Sequence, residues 1–489
     1  MLFRSVFTAL VIPFALDARS TAGAWALEGA GLVWLGFRQS RWLARLFGYA
    51  LLLLSGVAMG FGFDRHGAPS DWFNAYFFNG VLAAVASLAA ALFVKRAGDR
   101  LANDASSAIR GEAFAEPLLI TWGTLWLLSA IALEIHRFVP APYPFAAWLA
   151  SFSGIALVYA LLSDRLRWPR VGLLPIAHAP LHMLGALSLA AALAQPMHNG
   201  GWWAWPLALV AHGVVLWRLA PRWPVVARDV VHSIGVLTLA LLGALQGRAI
   251  TADWGDAASA WPWLGWLVAP GALLLLLLRP TIARRWPVSA APSAYQWIAS
   301  LVLAIGLLLW TVIANLASNG AALPLPHVPL LNPLDIGIGL ALISTLMWTR
   351  SDAARNGLAL TPGLSTAVLS AAAFLWLNAI LIRGFHHYGG VPFRFDAWRH
   401  SLAVQTGITL LWTATALVLM WFSAKRTQRL PWMVGAALLA AVVAKLLLVD
   451  LSGSGTVARI VSFIGVGVLM LVIGYVAPLP GKGKVHAST

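Results

Sequence analysis

Histidines and arginines are concentrated between residues 383 and 400, in the segment RGFHHYGGVPFRFDAWRH. Arg383, Arg394 and Arg399 carry guanidinium groups, whose paired N–H donors match the oxygens of a phosphate or carboxylate. The imidazole rings of His386 and His387 can accept and donate protons. The segment therefore predicts a site for an anionic ligand. We expect the three arginines to bind it and the two histidines to be its catalytic residues.

Polar residues in the apolar segments that follow extend this candidate site. Gln405 lies in the first turns of the next apolar segment, and Lys445 lies near the end of the one after it. Asp450 and Arg459 stand on either side of the flexible link SGSG. We expect Gln405 and Arg459 to help bind the ligand, and Asp450 with Lys445 to position the catalytic histidines. The alternative is a closed ion network that only joins two helices.

Three carboxylates are secondary candidates. Asp17, Glu28 and Glu134 fall at or near the same expected face of the membrane as the segment 383–400. A carboxylate at that position can act as a general base on a bound substrate. The alternative for Glu28 is a protonated carboxyl, or one that is hydrogen-bonded to a neighbouring helix.

A second group of histidines lies in three consecutive apolar segments. His178 and His182 are four residues apart, on one face of a helix, and His212 and His232 fall at a similar depth. Imidazoles with this spacing can hold a metal ion, and facing pairs can hold haem. No carboxylate accompanies them at that depth, so hydrogen-bonded core histidines are the simpler interpretation. The sequence therefore offers only weak candidates for a metal site and predicts no cofactor.

The elements that position these residues are apolar helices. Of the 489 residues, 60% are hydrophobic and 10% are charged, and the mean hydropathy is +0.80. This composition predicts an all-α integral membrane protein, a polytopic helical bundle of about 16 (14–16) transmembrane helices built from helical hairpins. The links are too short for a separate soluble domain, so residues 1–489 are predicted to form a single transmembrane domain. The candidate spans are 2–16, 21–37, 42–63, 73–94, 118–135, 144–162, 172–193, 202–219, 226–245, 261–278, 294–317, 334–348, 364–382, 401–422, 431–449 and 457–476.

The distribution of charge predicts the orientation of these helices. The net charge of +16 would suggest nucleic-acid binding in a soluble protein. When the spans alternate, however, most of the 33 basic residues collect on one side, as the positive-inside rule requires. We therefore expect a multi-pass protein of a bacterial inner membrane, with the lipid bilayer as its partner, no nucleic acid, and both termini cytoplasmic. The segment 383–400 then faces outward, although it holds three arginines.

A hairpin pattern recurs near the two ends of the sequence. Residues 21–63 and 401–449 share the spacing W-x8-W-x3-[RK]-x9-G. The matched residues are Trp25, Trp34, Arg38 and Gly48 in the first hairpin, and Trp412, Trp421, Lys425 and Gly435 in the second. Internal duplication is one explanation. The frequency of Trp and Arg at membrane interfaces is the other.

Several segments resemble the family of predicted bacterial membrane proteins called DUF2339. They are LDARSTAGAWALEGAGLVWLGFRQSRWLARLFG, HHYGGVPF, QTGITLLW and KLLLVDLSGSGTVARIVSFIGVGVLMLVIGYVAPLP. The resemblance covers most of the chain, as the C-terminal part of a typical member, and is strongest in the four-helix segment 364–480. It implies a polytopic membrane protein and assigns no activity.

Three functions remain open from the residues. The first is a cell-envelope protein that binds, and as an enzyme would modify, an anionic lipid-linked or glycan substrate at its extracytoplasmic face. The second is a transporter or flippase for a polar or anionic envelope precursor, which requires a polar path through the bilayer. The third is a non-catalytic membrane scaffold, in which every polar cluster is a closed network.

Overall fold

The computed structural model of the chain is built from α-helices. It describes residues 18–65, 71–101, 112, 114–255, 259–358 and 362–446. The predicted spans 2–16 and 457–476 lie outside the described residues, as do the candidates Asp17, Asp450 and Arg459. The chain divides into two compact units, Met1–Thr238 and Leu239–Thr489, which we call unit 1 and unit 2.

Unit 1 consists of antiparallel helical hairpins. Its helices are α1 (Ala18–Arg38), α2 (Trp42–Arg65), α3 (Ala75–Leu101), α4 (Ala115–Phe138), α5 (Pro144–Arg165), α6 (His178–Ala191), α7 (Gly201–Leu219) and α8 (Val225–Ala252), the last of which continues into unit 2. A 3-10 helix, Val171–Ala177, leads into α6. The core of α1–α4 is rich in alanine, including Ala26, Ala86 and Ala90, so the helices approach closely.

Unit 2 begins with the end of α8 and contains helices of very different lengths. They are α9 (Trp261–Leu277), α10 (Ser300–Ala317), α11 (Pro333–Thr349), α12 (Asp352–Leu358), α13 (Pro362–Gly389), α14 (Phe395–His400), α15 (Leu402–Lys425) and α16 (Arg429–Lys445). A four-residue helix follows α9, and a π-helical turn, Ser293–Ala299, runs into α10. Helices α10, α11 and α13 pack against one another, and α15 packs against both α13 and α16.

The structure confirms the predicted fold class. Each predicted span that falls among the described residues coincides with a helix. Ten helices in this part of the chain are long and apolar enough to cross a membrane, and Trp261–Leu277 and Pro333–Thr349 are shorter apolar helices. The largest boundary differences are seven residues, at the C-terminal ends of α3, α8 and α13, which extend to Leu101, Ala252 and Gly389 beyond the predicted ends at 94, 245 and 382.

Carboxylates join the helices of unit 1 at their basic ends. The guanidinium of Arg45 binds both oxygens of Glu112, at 2.6 Å from Nη2 and 2.8 Å from Nε. Asp164 pairs with Arg218 at 3.1 Å and with Arg222 at 2.5 Å. These basic residues, which the charge distribution assigns to the cytoplasmic side, are therefore neutralised within the protein.

The two hairpins that share a sequence pattern also share side-chain contacts. The guanidinium of Arg38 lies over the Trp34 ring at 5.4 Å, and the ammonium of Lys425 lies over the Trp421 ring at 3.7 Å. Two positions after each basic residue, the backbone adopts a positive φ, 55° in the first hairpin and 54° in the second. The helices α1 and α15 thus end in the same way.

The glycine of the pattern packs at the same register in both hairpins. A Cβ atom on Gly48 would lie 2.7 Å from the carbonyl oxygen of Gly29, and one on Gly435 would lie 3.1 Å from that of Ala416. Gly29 and Ala416 are separated by the same interval as the other matched residues. These equivalent contacts support a repeated hairpin, since chance matches at the membrane interface would not reproduce the packing register.

We predict that Gly48→Leu destabilises the first hairpin. The added side chain would meet the backbone of α1, and overpacking of this kind costs about 1–3 kcal/mol. The matched control is Gly31→Leu, because Gly31 has nothing within 4 Å of its Cβ position. Thermal unfolding in detergent, followed by tryptophan fluorescence, should show a lower midpoint for Gly48→Leu only. Equal midpoints for the two variants would contradict the close packing.

Candidate functional site

A fully buried ion pair lies at the centre of unit 2. Nη1 of Arg383 donates to Oδ1 of Asp335 at 2.8 Å, and both side chains are 0% exposed. The same guanidinium donates to the carbonyl oxygens of Ser318 at 3.2 Å and Ala314 at 3.4 Å, and to Oδ1 of Asn315 at 3.1 Å. It therefore joins α10, α11 and α13. Arg383, predicted to bind a ligand, is fully occupied by partners within the protein.

The carboxylate of Asp335 is held at the N-terminus of α11. Its Oδ1 also accepts the indole N–H of Trp376 at 2.9 Å, and its Oδ2 accepts the backbone N–H of Leu330 at 3.1 Å and Nδ2 of Asn332 at 2.5 Å. Asn332 caps α11 by accepting the backbone N–H of Asp335 at 3.0 Å. A negative charge in the first turn of a helix is favourable. The pair is thus fixed from both sides.

His386 and His387 lie on the last turn of α13, not in the loop that the sequence predicted. The helix ends at Gly389, because Gly390 adopts a positive φ of 66° and the N–H of Val391 donates back to the carbonyl of Phe385 at 3.2 Å. The segment that remains non-helical before α14 is short. The helix therefore continues seven residues beyond the predicted end of the span at 382.

A third histidine stacks on His387. The ring centroids of His327 and His387 are 3.9 Å apart, with an angle of 15° between the planes. Nε2 of His387 lies 2.9 Å from the carbonyl oxygen of Asn319, and Nδ1 of His327 lies 3.0 Å from that of Gly320. We call His327, His386 and His387 the histidine cluster. It lies in the same unit as the buried ion pair, one helical turn beyond Arg383.

Backbone carbonyls determine which nitrogen of each ring carries the proton. A carbonyl oxygen only accepts, so the nitrogen that faces it must bear the hydrogen and the other nitrogen of a neutral ring must present a lone pair. Lone pairs therefore remain on Nδ1 of His387 and Nε2 of His327. Among the residues that the structure describes, neither nitrogen has a hydrogen-bond donor. Nδ1 of His387 can accept a proton or a hydrogen bond from a ligand, whereas Nε2 of His327 is itself a buried atom.

The other polar groups around the cluster are already paired. Nδ1 of His386 lies 2.8 Å from the carbonyl of Val391, and its Nε2 lies 3.4 Å from Nδ2 of Asn319. The hydroxyl of Tyr388 donates to the backbone carbonyl of His327. His386 is therefore a positioned residue, and His387 is the member of the predicted pair whose acceptor nitrogen has no donor among the described residues.

An apolar groove opens beside the cluster. It has a volume of about 460 Å³, and its walls include Pro329, Leu381, Phe385 and Tyr388. Tyr388 contributes its ring to the groove while its hydroxyl bonds the backbone of His327. The groove and the polar cluster therefore share one side chain, so a molecule with an apolar chain and a polar head could contact both.

The two remaining arginines of the predicted segment are exposed. Arg394 precedes α14, and Arg399 lies on it with its side chain 60% exposed. The nearest ion-pair contact of Arg399 is 3.6 Å, to the exposed Asp396, which also lies 3.7 Å from His400. Exposed pairs at such distances are weak. Both guanidinium groups can therefore bind an anion at low cost.

Gln405 and Lys445 lie on α15 and α16, the two helices that follow α14. Nζ of Lys445 donates to Oγ1 of Thr409 at 2.8 Å and to the carbonyl of Gln405 at 3.2 Å, which joins α16 to α15. Nε2 of Gln405 donates to the carbonyl of Trp398 at 3.0 Å, which holds α14. These hydrogen bonds thus join Lys445 to α15 and Gln405 to α14, and Asp450 and Arg459 lie outside the described residues.

With this geometry established, the chain was compared with known proteins. The model of the DUF2339 family, described as a predicted membrane protein, matches residues 1–480. The chain belongs to the DUF2339 family. Comparisons with curated proteins and with solved structures found no match. Membership confirms the resemblance read from the sequence and a multi-pass membrane protein, while the chemistry must be argued from the site.

Two of the secondary candidates of this DUF2339 chain, Glu28 and Glu134, lie in the described part of unit 1 and have different hydrogen-bond partners. Glu134 accepts the backbone N–H of Phe73 at 3.2 Å and Nδ2 of Asn74 at 2.7 Å, so it holds the turn before α3. Glu28 is half-buried on α1, and its Oε2 has no hydrogen-bond partner among the described residues. Both residues belong to unit 1, whereas the histidine cluster belongs to unit 2.

Of the four candidate histidines in unit 1 of the DUF2339 chain, His178 and His212 are hydrogen-bonded to each other. Nε2 of His178 lies 2.8 Å from Nδ1 of His212, while Nδ1 of His178 bonds the carbonyl of Pro175. Nε2 of His182 lies 3.4 Å from Oγ of Ser153. His232 is buried on α8. Over the described part of the chain, no three His, Cys, Asp or Glu side chains are arranged to hold a metal ion.

Sequence reasoning missed His327 and Asp335 in this family member. Both belong to the stretch HVPLLNPLD, which was treated as a polar gap followed by a short span. Two signals were available: Asn332 three residues before Asp335 is a helix N-cap pattern, and a histidine lies in each of the two polar gaps on the expected outer side. Neither signal indicates that the residues before α11 contact those at the C-terminal end of α13.

We predict that Asp335→Asn strongly destabilises unit 2. The change keeps the shape of the side chain but leaves the buried Arg383 charge unpaired, at a cost of about 3–5 kcal/mol. Adding Arg383→Met to Asp335→Asn should recover part of that loss. The control is Asp396→Asn in the exposed pair. Thermal unfolding in detergent checks all four proteins, and equal midpoints for the two single Asp variants would contradict a structural ion pair.

Proposed function

We propose that this membrane protein binds an anionic lipid-linked or glycan molecule at the C-terminal end of α13, on the extracytoplasmic face of a bacterial inner membrane. The observation that carries the proposal is the lone pair on Nδ1 of His387, which has no donor among the described residues and lies one residue before Tyr388, a wall of the apolar groove. Polar atoms of a closed structural network would be paired. This nitrogen can accept a hydrogen bond.

The parts of the site suit different parts of such a ligand. Arg394 and Arg399 supply the donors for a phosphate or carboxylate group. The groove beside Phe385 and Tyr388 suits an acyl or prenyl chain, because its walls are apolar. Nδ1 of His387 would take the proton from a ligand hydroxyl, which is the step by which the protein would act as an enzyme.

The scaffold function fits only part of this region. The pair of Arg383 and Asp335 is a closed network and we assign it a structural role. The histidine cluster is different, since the fixed tautomer of His387 leaves its Nδ1 acceptor without a donor among the described residues. A structural role alone therefore does not account for the cluster.

Transport is the second candidate function, and one observation favours it. His178 and His212 are hydrogen-bonded at 2.8 Å within helices that are long and apolar enough to cross a membrane. Buried polar groups in such helices are costly and typically mark ion or proton paths. A flippase or transporter function would use this group rather than the histidine cluster, so the two functions predict different sensitive residues.

We predict that an anionic lipid or glycan copurifies with the protein and depends on the exposed arginines. Native mass spectrometry of the gently extracted full chain should show a bound mass, and Arg394→Gln/Arg399→Gln should lower its occupancy about tenfold or more, since charge-assisted hydrogen bonds are lost. His387→Ala should lower it further.

The control is Arg284→Gln/Arg285→Gln, which removes the same charge from exposed arginines in a basic turn of unit 2. It should keep the bound mass. The proposal fails if the native chain retains only bulk phospholipid, or if both double variants retain the ligand equally. Loss of activity or transport on changing His178 and His212, with the ligand unchanged, would favour the second function.

A further inference from the structure

A second cavity lies at the other end of α13. It has a volume of about 540 Å³ and is enclosed by α11, α12 and α13. Helix α13 has 28 residues and is therefore roughly 40 Å long, enough to span a bilayer. Because the histidine cluster occupies its C-terminal end, this cavity at its N-terminal end lies at the opposite face of the membrane.

The lining of the cavity is charged at one end and mostly apolar along the rest, where serine and threonine side chains of α13 accompany leucine, isoleucine and alanine. Thr349, Arg350 and Arg355 surround its mouth, at the ends of α11 and α12. Leu346 and Leu369 lie about one turn deeper on α11 and α13. A phospholipid has the same order, with a charged phosphate at the surface and hydrocarbon below it.

The two arginines at the mouth carry uncompensated charge. Both are exposed, and neither forms an ion pair with a carboxylate in the described part of the chain. Asp352 lies between them in sequence but pairs with neither. In unit 1 the corresponding basic end differs, since Arg218 and Arg222 share the carboxylate of Asp164. Here the balancing negative charge is left to a ligand.

We propose that this cavity binds an anionic phospholipid of the adjacent leaflet, with its phosphate between Arg350 and Arg355 and an acyl chain along Leu346 and Leu369. Guanidinium groups match phosphate oxygens in pairs. The apolar wall favours a lipid over a free phosphate ion, which would contact the mouth alone. The site is independent of the histidine cluster, so either can fail without the other.

The test uses the purified full chain and three probes: dioleoylphosphatidylglycerol, dioleoylphosphatidylcholine and inorganic phosphate. Native mass spectrometry should show about tenfold higher occupancy by phosphatidylglycerol than by phosphatidylcholine, an effect of two basic residues. Arg350→Gln/Arg355→Gln should abolish this preference. The control Arg284→Gln/Arg285→Gln removes the same charge from another exposed basic turn of unit 2, which belongs to neither proposed site, and should keep it.

A second variant tests the apolar part and does not alter either arginine. Ala373 lines the deep end of the cavity, so the larger side chain of Ala373→Trp would fill it. This variant should lower phosphatidylglycerol binding about as much as the double arginine change. The proposal is overturned if the double arginine variant keeps the lipid preference. It is also overturned if inorganic phosphate competes fully with the lipid and Ala373→Trp has no effect, because the ligand would then be a free anion.

Discussion

The buried guanidinium of Arg383 needs a negative charge beside it and an acceptor for each of its N–H donors. This requirement determines how the helices of unit 2 around it pack. Arg383 meets that demand with Asp335 and with acceptors from α10, so three helices converge on one side chain. An unpaired charge at this depth would cost several kcal/mol. The helices α10, α11 and α13, which this ion pair joins, therefore cannot shift independently. The residues that follow Arg383 on α13 are held in place by the same contacts.

The histidine cluster is the direct consequence of that arrangement. His387 follows Arg383 by one helical turn, and the chain between α10 and α11, which leads to Asp335, carries His327 against it. The same connecting chain supplies the carbonyls of Asn319 and Gly320 that fix the tautomers. The buried ion pair and the acceptor nitrogen of His387 thus belong to one group of packed helices. The ion pair fixes these helices, which keeps the lone pair of His387 in one orientation.

The sequence predicted the helices well and the roles of single residues less well. Hydrophobic length depends on local composition, so fourteen of the sixteen helices follow the predicted spans, whereas the short helices α12 and α14 correspond to no predicted span. The spacing of Trp34, Arg38 and Gly48 left a repeated hairpin as one of two explanations, and the packing supports it. The internal use of Arg383 could not be predicted, because its partner is far away in sequence and only packing joins them. His327 was missed for the same reason.

The account depends most on α13 placing its two polar ends at opposite faces of the membrane, with the histidine cluster outward. The chain has no cysteine, so single cysteines introduced at the exposed Asp396 and Asp352 report each end. An impermeant thiol reagent applied to intact cells should label Asp396→Cys, and should label Asp352→Cys only after the cells are broken. Labelling of Asp352→Cys alone in intact cells would contradict the account.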